Sequence, residues 1–95
     1  MVNGTRNSIR HNMDLGRFEL LMEGNMAVLD YRMDDSVIIF THTGVPAELE
    51  GRGIGSQLVR AGLDFARVNM LRVVPACWFV AGYIERHPEY QDVLV

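Results

Sequence analysis

The first half of the chain alternates between apolar and polar residues, which is the pattern of half-buried strands. Apolar side chains recur at every second position in residues 18–22 and 27–33. Residues 36–43 hold a run of branched and aromatic side chains, which predicts a central strand covered on both faces. Residues 23–25 and 34–35 supply turn chemistry between these segments, with a Gly-Asn pair suited to positive φ. We therefore expect a three-stranded meander.

After Pro46 the apolar period changes from two residues to that of a helix. In residues 54–69, Leu58, Gly62 and Ala66 share one face, and polar residues cluster opposite. Residues 71–76 then predict a short strand, residues 77–86 a second helix that stops at His87-Pro88, and residues 93–95 a last short strand. Trp78, Phe79 and the methionines are assigned to the core.

Strand, helix and strand in this order form a βαβ unit, whose two strands should be parallel with a right-handed crossover. The expected fold class is α+β, close to α/β, with a mixed and mostly antiparallel sheet and two main helices. With 95 residues, the chain is long enough for one domain.

Composition narrows the functional classes. The chain is 48% hydrophobic and 22% charged, as in ordinary globular domains. Its net charge of −3 argues against nucleic-acid binding. No apolar run approaches membrane-spanning length, so we expect no membrane association and a cytoplasmic location. One cysteine and three scattered histidines predict neither a disulfide nor a metal site. The polar residues 1–15, which include His11, are interpreted as a flexible leader.

A glycine-rich loop precedes the first predicted helix. Gly51, Gly53 and Gly55 stand at alternate positions, where positive φ would turn successive N–H groups toward one point. The helix N-terminus adds free N–H groups and a positive dipole end, so the loop predicts an anion site for phosphate or pyrophosphate. Arg52 suits anion recognition, since guanidinium pairs bidentately with phosphate oxygens. No lysine follows the loop, which excludes a P-loop, and the chain is too short for a dinucleotide fold.

Two reactive side chains are predicted at the same edge of the sheet as this loop. His42 and Cys77 each lie near the carboxyl end of a strand that flanks the crossover helix. In open sheets with parallel strands, ligands bind outside the carboxyl ends of the strands. The loop, the histidine and the cysteine should therefore border one cleft.

Four short motifs occur in a fixed order, and they lie at residues 42–46, 51–55, 74–77 and 87–90. Together they resemble the short, single-domain YjdJ-like branch of the GNAT superfamily of N-acetyltransferases. The pyrophosphate loop of the superfamily opens with Gln or Arg, and here Glu50 takes that position. The tyrosine that often protonates the leaving thiolate in the superfamily aligns with Ile84, next to Tyr83.

This resemblance implies a minimal acetyl-CoA-binding domain over residues 16–95. It implies that backbone N–H groups from Arg52 to Ser56 hold the CoA pyrophosphate, and that the pantetheine arm lies between the strands ending at Val45 and Ala76. An N–H near Val45 would stabilise the oxyanion. The implied cofactor-binding residues are Thr43, Val45, Gly51, Arg52, Gly53, Ile54, Gly55, Ser56, Arg86 and His87.

The same resemblance implies that His42 and Cys77 form the catalytic pair. A histidine can take a proton from an incoming amine. Cys77, at a helix N-terminus, can be either a transient acetyl carrier or a proton donor to the leaving thiolate. The expected function is transfer of acetyl from acetyl-CoA to an unidentified small or peptidyl amine. The alternative is a non-catalytic acyl-CoA-binding or interaction module.

Overall fold

The computed structural model describes residues 8–95, and within them five strands form one sheet in the order β1-β2-β3-β4-β5. Strands β1 to β4 pair antiparallel, and β5 pairs parallel to β4. The strands are β1 (Ile9–Asn12), β2 (Arg17–Met22), β3 (Asn25–Asp34), β4 (Val37–Gly44) and β5 (Arg72–Pro75). The helices are α1 (Ile54–Val68) and α2 (Trp78–Arg86), with 3-10 turns at Ala47–Leu49 and Pro88–Val93. The predicted mixed α+β fold with a βαβ unit is confirmed.

Helix α1 packs its apolar stripe on one face of the sheet. Leu58, Leu63 and Ala66 are fully buried there. Gly62 lies so close to the sheet that a Cβ atom on it would be 2.9 Å from side-chain atoms of Leu29 and Phe40. The missing side chain thus lets the helix approach the strands directly, which fixes where the glycine loop before α1 meets the sheet.

Strand β4 is covered less completely than its run of branched residues suggested. Ile38 and Phe40 are fully buried, whereas Val37 and Ile39 are only half-buried and Thr41 is exposed. The prediction of cover on both faces is therefore wrong. Branched residues favour the pleated backbone of a strand whether or not both of its faces are buried.

The C-terminal segment and the start of α2 also differ from expectation. Residues 93–95 form no regular strand, because Pro88–Val93 are a 3-10 helix and Leu94 makes a single bridge to Val73. Trp78 is 82% exposed instead of buried, and most methionines among residues 8–95 are exposed as well. The sequence analysis assigned these residues to the core because they are hydrophobic, but hydrophobicity alone does not decide whether a residue is buried. Among residues 8–95, no helix is both long enough and apolar enough to cross a membrane.

The expected leader is wrong for residues 9–12, which form the edge strand β1 paired with β2. His11 joins an aromatic cluster on the α1 side of the sheet. Its Nε2 lies 2.6 Å from the Tyr31 hydroxyl, and its ring stacks on Phe18 at 4.1 Å between centroids. The Phe65 ring from α1 meets the His11 ring in a T-shaped contact, with 4.5 Å between centroids. The part of the leader prediction that covers residues 1–7 lies outside the described residues.

Burial lowers the pKa of His11 below the ordinary histidine value of 6.5. Protonation therefore favours the unfolded chain, and the free energy of unfolding should fall as the pH is lowered through and below 6.5. In denaturant unfolding at about pH 7.5 and about pH 5.5, His11→Phe should reduce this pH dependence. Equal pH dependence in wild type and His11→Phe would contradict the assignment.

Candidate functional site

The glycine loop leads into an uncapped helix N-terminus. Gly51 and Gly53 have the predicted positive φ, at 80° and 74°, and Gly53 is the N-cap of α1. No side chain caps this helix in the described chain, and its first backbone hydrogen bond runs from Gln57 N–H to the Gly53 carbonyl at 3.1 Å. The N–H groups of residues 54–56 thus precede the helical ladder and are free to bind an anion.

Gly55 has a different role from the one expected. It lies inside α1 and does not have positive φ. A Cβ atom on Gly55 would be 2.9 Å from Cζ of Phe79, so the missing side chain makes room for the Phe79 ring. This contact joins the first turn of α1 to the first turn of α2, and the two helix starts together form one wall of the site.

The opposite wall comes from the divergence of β4 and β5. Their pairing ends at Phe40 and Pro75, and the Cys77 N–H then donates to the Phe40 carbonyl at 2.9 Å. Strand β4 continues to Gly44 without β5 beside it. The resulting cleft has a volume of about 610 Å³. It is lined by Thr41, His42, Thr43, Val45, Glu50, Gly51, Gly53, Ile54, Gly55, Ser56, Ala76, Cys77, Trp78 and Phe79.

A β-bulge in β4 distributes the cleft side chains between the two faces of the sheet. Tyr31 pairs with Phe40 and Asp30 pairs with His42, so Thr41 is the extra residue. After the bulge, Thr43 pairs with the buried Leu29. Successive strand residues point to opposite faces, so Thr43 faces the helices and His42 faces away from them.

Cys77 contributes a nearly buried thiol to the floor of the cleft. Cys77 lies on the same face of the sheet as Thr43, and the Thr43 hydroxyl oxygen is 3.4 Å from the Cys77 Sγ atom. Burial raises the pKa of the Cys77 thiol, but hydrogen bonds from Thr43 and from the N–H groups of Val80 and Phe79 outweigh burial and lower the pKa overall. Because these N–H groups belong to the first turn of α2, the helix N-terminus favours the thiolate.

His42 is held on the other face by a carboxylate. Its Nδ1 lies 3.2 Å from Oδ2 of Asp30, and its side chain is 64% exposed. The ring also lies beside Gly44, where an added Cβ would be 2.9 Å from the ring atom Cε1. Among residues 8–95, no hydrogen bond joins His42 to Cys77. The two groups thus border one cleft from different sides.

The sequence analysis did not identify Asp30 as a site residue, because its position opposite His42 depends on the bulge at Thr41. Alternation placed Asp30 on the outward face of β3 but gave no register with β4. No local signal in the sequence marks a bulge at a threonine.

Three of the predicted cofactor-binding side chains lie away from the cleft lining. The Arg52 guanidinium forms a bidentate ion pair with Glu23, at 2.9 and 3.2 Å, and also donates to the Glu48 carbonyl. Arg86 lies on the exposed side of α2. His87 borders a smaller cavity of about 220 Å³ with Ser56, Gln57, Arg60 and Tyr83. The Arg52 side chain thus contacts Glu23 and Glu48 instead of lining the cleft.

Tyr83 is not placed to act in the cleft. It is 4% exposed and stacks on His87 at 3.9 Å between ring centroids. The His87 Nδ1–H donates to the Tyr83 carbonyl at 2.8 Å. Of the titratable side chains among residues 8–95, those that line the cleft are His42, Glu50 and Cys77.

Comparisons with known proteins agree with this architecture. The family model of the GCN5-related N-acetyltransferases matches residues 17–93. Human Protein NATD1 is 30% identical over 83 residues, which cover 84% of this chain and 74% of that protein. The zebrafish (Danio rerio) Protein NATD1 is 29% identical over 93 residues, covering 93% and 84%.

A solution structure of another GCN5-like protein has the same fold. A GCN5-like protein from Staphylococcus aureus superimposes with a TM-score of 0.74 and 34% sequence identity, over 93% of this chain and 87% of that one. The chain therefore belongs to the GCN5-related N-acetyltransferase family.

Proposed function

We propose that this protein binds acetyl-CoA and transfers its acetyl group to an amine. The observation that carries the proposal is the uncapped N-terminus of α1, which opens into the cleft between the diverging strands β4 and β5. Family membership supports the same activity, since enzymes of this superfamily use acetyl-CoA.

The residues present fit this cofactor at both ends of the cleft. At the loop end, the N–H groups of residues 54–56 suit a pyrophosphate. Added Cβ atoms on Gly51 and Gly53 would meet nothing within 4 Å, so the loop surface is open to a ligand. At the strand end, β4 beyond Phe40 pairs with β3 on one side and has no strand on its β5 side, so its backbone groups on that side can bind the amides of the pantetheine arm. The N–H of Val45 is the donor proposed for the oxyanion.

His42 and Cys77 handle the two protons of the reaction in this proposal. Bound acetyl-CoA supplies a thioester carbonyl that an amine can attack, with formation of a C–N bond and cleavage of the C–S bond. His42 takes the proton that the amine nitrogen loses, and Asp30 orients its ring. Cys77, whose lowered pKa makes its thiol a stronger acid than that of an ordinary cysteine, donates its proton to the departing sulfur and regains one from solvent.

The separation of His42 and Cys77 favours this assignment over an acetyl-cysteine. A cysteine nucleophile is commonly activated by an adjacent base. Here the hydrogen-bond partner of the Cys77 thiol is Thr43, and His42 lies on the opposite face with Asp30. Direct transfer needs a base on the amine side and an acid on the thiol side, which is the arrangement of the cleft.

Calorimetric titration with acetyl-CoA tests the binding half of the proposal, with ATP and NAD as controls. Saturable one-site binding of acetyl-CoA, with much weaker binding of the other two, is the expected result. Equal binding of all three would indicate a general phosphate site. No binding would mean that the glycine loop is only a structural turn.

For the transfer half, Cys77→Ala and His42→Gln should each lower the rate of amine acetylation by about 10²–10⁴-fold, since each removes a proton-transfer group. Affinity for acetyl-CoA should change little.

Mass spectrometry of the wild-type protein during turnover should show no acetyl group on Cys77. A chemically competent acetyl adduct there would instead establish the carrier role, and tight binding without turnover of any amine would indicate a non-catalytic module.

Replacement of Thr43 by valine should raise the pKa of Cys77, because the hydroxyl contributes to the lowered value. The thiolate absorbance of the chain reports this group alone, as Cys77 is its single cysteine. Ultraviolet titration should show the shift after subtraction of the Cys77→Ser spectrum. Thr41→Val is the matched control, since the Thr41 hydroxyl bonds to the Asp30 carbonyl. An unchanged titration in Thr43→Val would contradict the hydrogen bond to sulfur.

Glu50 borders the cleft at the loop, where a negative charge opposes anion binding. Glu50→Gln should leave the affinity for acetyl-CoA unchanged or increase it by up to about fivefold, the range of an exposed charge interaction. The increase should shrink at high salt. Glu48→Gln, an exposed neighbour outside the cleft lining, is the control. A large loss of affinity in Glu50→Gln would mean that the loop binds its ligand in another orientation.

A further inference from the structure

Trp78 is an exposed aromatic residue at the mouth of the cleft. It directly follows Cys77 in the chain and is 82% exposed. Several other large apolar residues among residues 8–95 are exposed, but Trp78 is the one of them that lines the cleft. An indole left in water beside a reactive thiol offers a large apolar face to a ligand.

The indole is held by the same contacts that form the cleft wall. Its ring meets Phe79 edge to face, at 6.0 Å between centroids and an interplanar angle of 80°. Phe79 in turn packs against Gly55 at the start of α1. The Phe79 contact thus leaves most of the indole surface available to a stacking ligand.

The charges around the cleft indicate which ligands can use this face. Among the residues that line it, no arginine or lysine is present in residues 8–95, and Glu50 supplies a carboxylate. Asp30 adds a second carboxylate behind His42. The nearest loop cation, Arg52, is paired with Glu23. An anionic acceptor would find no counter-ion here, whereas a cationic amine is attracted by the carboxylates and by the indole face.

We propose that Trp78 is the binding platform for the acceptor. The acceptor in this proposal is a primary alkylamine that bears an aromatic ring, such as phenethylamine, and that has no carboxylate or phosphate group. The ring stacks on the indole, and the amine reaches the cleft as a cation. The ammonium group loses one proton to solvent before it attacks the thioester, and the attacking nitrogen loses a second proton to His42. This inference rests on the proposed acetyl transfer for its chemistry, but the binding of the amine to Trp78 can be measured separately.

Intrinsic fluorescence provides that measurement, because Trp78 is the single tryptophan of the chain. The protein is saturated with non-reactive CoA and titrated with phenethylamine, hexylamine and phenylpropionate. Phenethylamine should give a saturable change in emission, hexylamine a weaker one, and the anionic phenylpropionate none. An absence of any saturable change with phenethylamine overturns the proposal, whatever the protein does with acetyl-CoA.

Steady-state acetylation then tests the role of Trp78 in turnover. Wild type should prefer phenethylamine over hexylamine in kcat/KM by about tenfold, as expected for one aromatic contact. Trp78→Leu should raise the KM for phenethylamine by about tenfold with kcat little changed, and Trp78→Phe should recover most of the loss. Val68→Ala, at another exposed apolar residue, outside the cleft, is the control.

The outcomes separate the two proposals. If amines are acetylated but Trp78→Leu keeps the preference for the aromatic amine, the platform is wrong and the transferase proposal stands. If phenethylamine binds Trp78 in fluorescence but no amine is acetylated, the platform stands and the transferase proposal fails.

Discussion

Within residues 8–95, the hydrogen bond from the Cys77 N–H to the Phe40 carbonyl is the last backbone–backbone bond between β4 and the chain that leaves β5. Up to this point the two strands pair, and beyond it they separate, because Cys77 turns into α2 while β4 continues to Gly44. The separation creates the cleft, and it also sets the thiol at a helix N-terminus. One backbone bond thus fixes both where the ligand can enter and where the sulfur lies.

The bulge at Thr41 is the second feature that shapes the cleft, because it decides which face of the sheet each following side chain of β4 occupies. A strand without it would carry Phe40 and residue 42 on one face, so that the imidazole would enter the core under α1. With the extra residue, Thr43 takes the inward position and reaches Cys77, and His42 turns outward to Asp30. An imidazole and a thiol therefore border one cleft without forming a pair with each other.

The sequence predicted the elements with strong periodicity, which are the meander, the amphipathic helix α1 and the parallel pair around it. It missed β1 because that edge strand is polar on one side: Asn12 and Arg17 hydrogen-bond to Glu19, so polar residues are satisfied within the sheet. It also placed Trp78 in the core, since hydrophobicity alone does not show on which side of α2 the cleft opens. The strand register, the bulge and the direction of the Trp78 indole depend on contacts between residues that are distant in sequence. The periodicity of apolar residues gives no information about such contacts.

The proposed anion site does not depend on the net charge of the chain. Its donors are backbone N–H groups at the start of α1, made accessible by positive φ at Gly51 and Gly53. Such donors carry no net charge, so the loop does not need a basic side chain, and Arg52 can serve to tie the loop to Glu23 in the β2–β3 turn. A chain with a net charge of −3 can thus hold a pyrophosphate by local dipoles. Under the proposed function, the carboxylates of Glu50 and Asp30 favour a cationic acceptor, so backbone N–H groups select the cofactor and side chains select the acceptor.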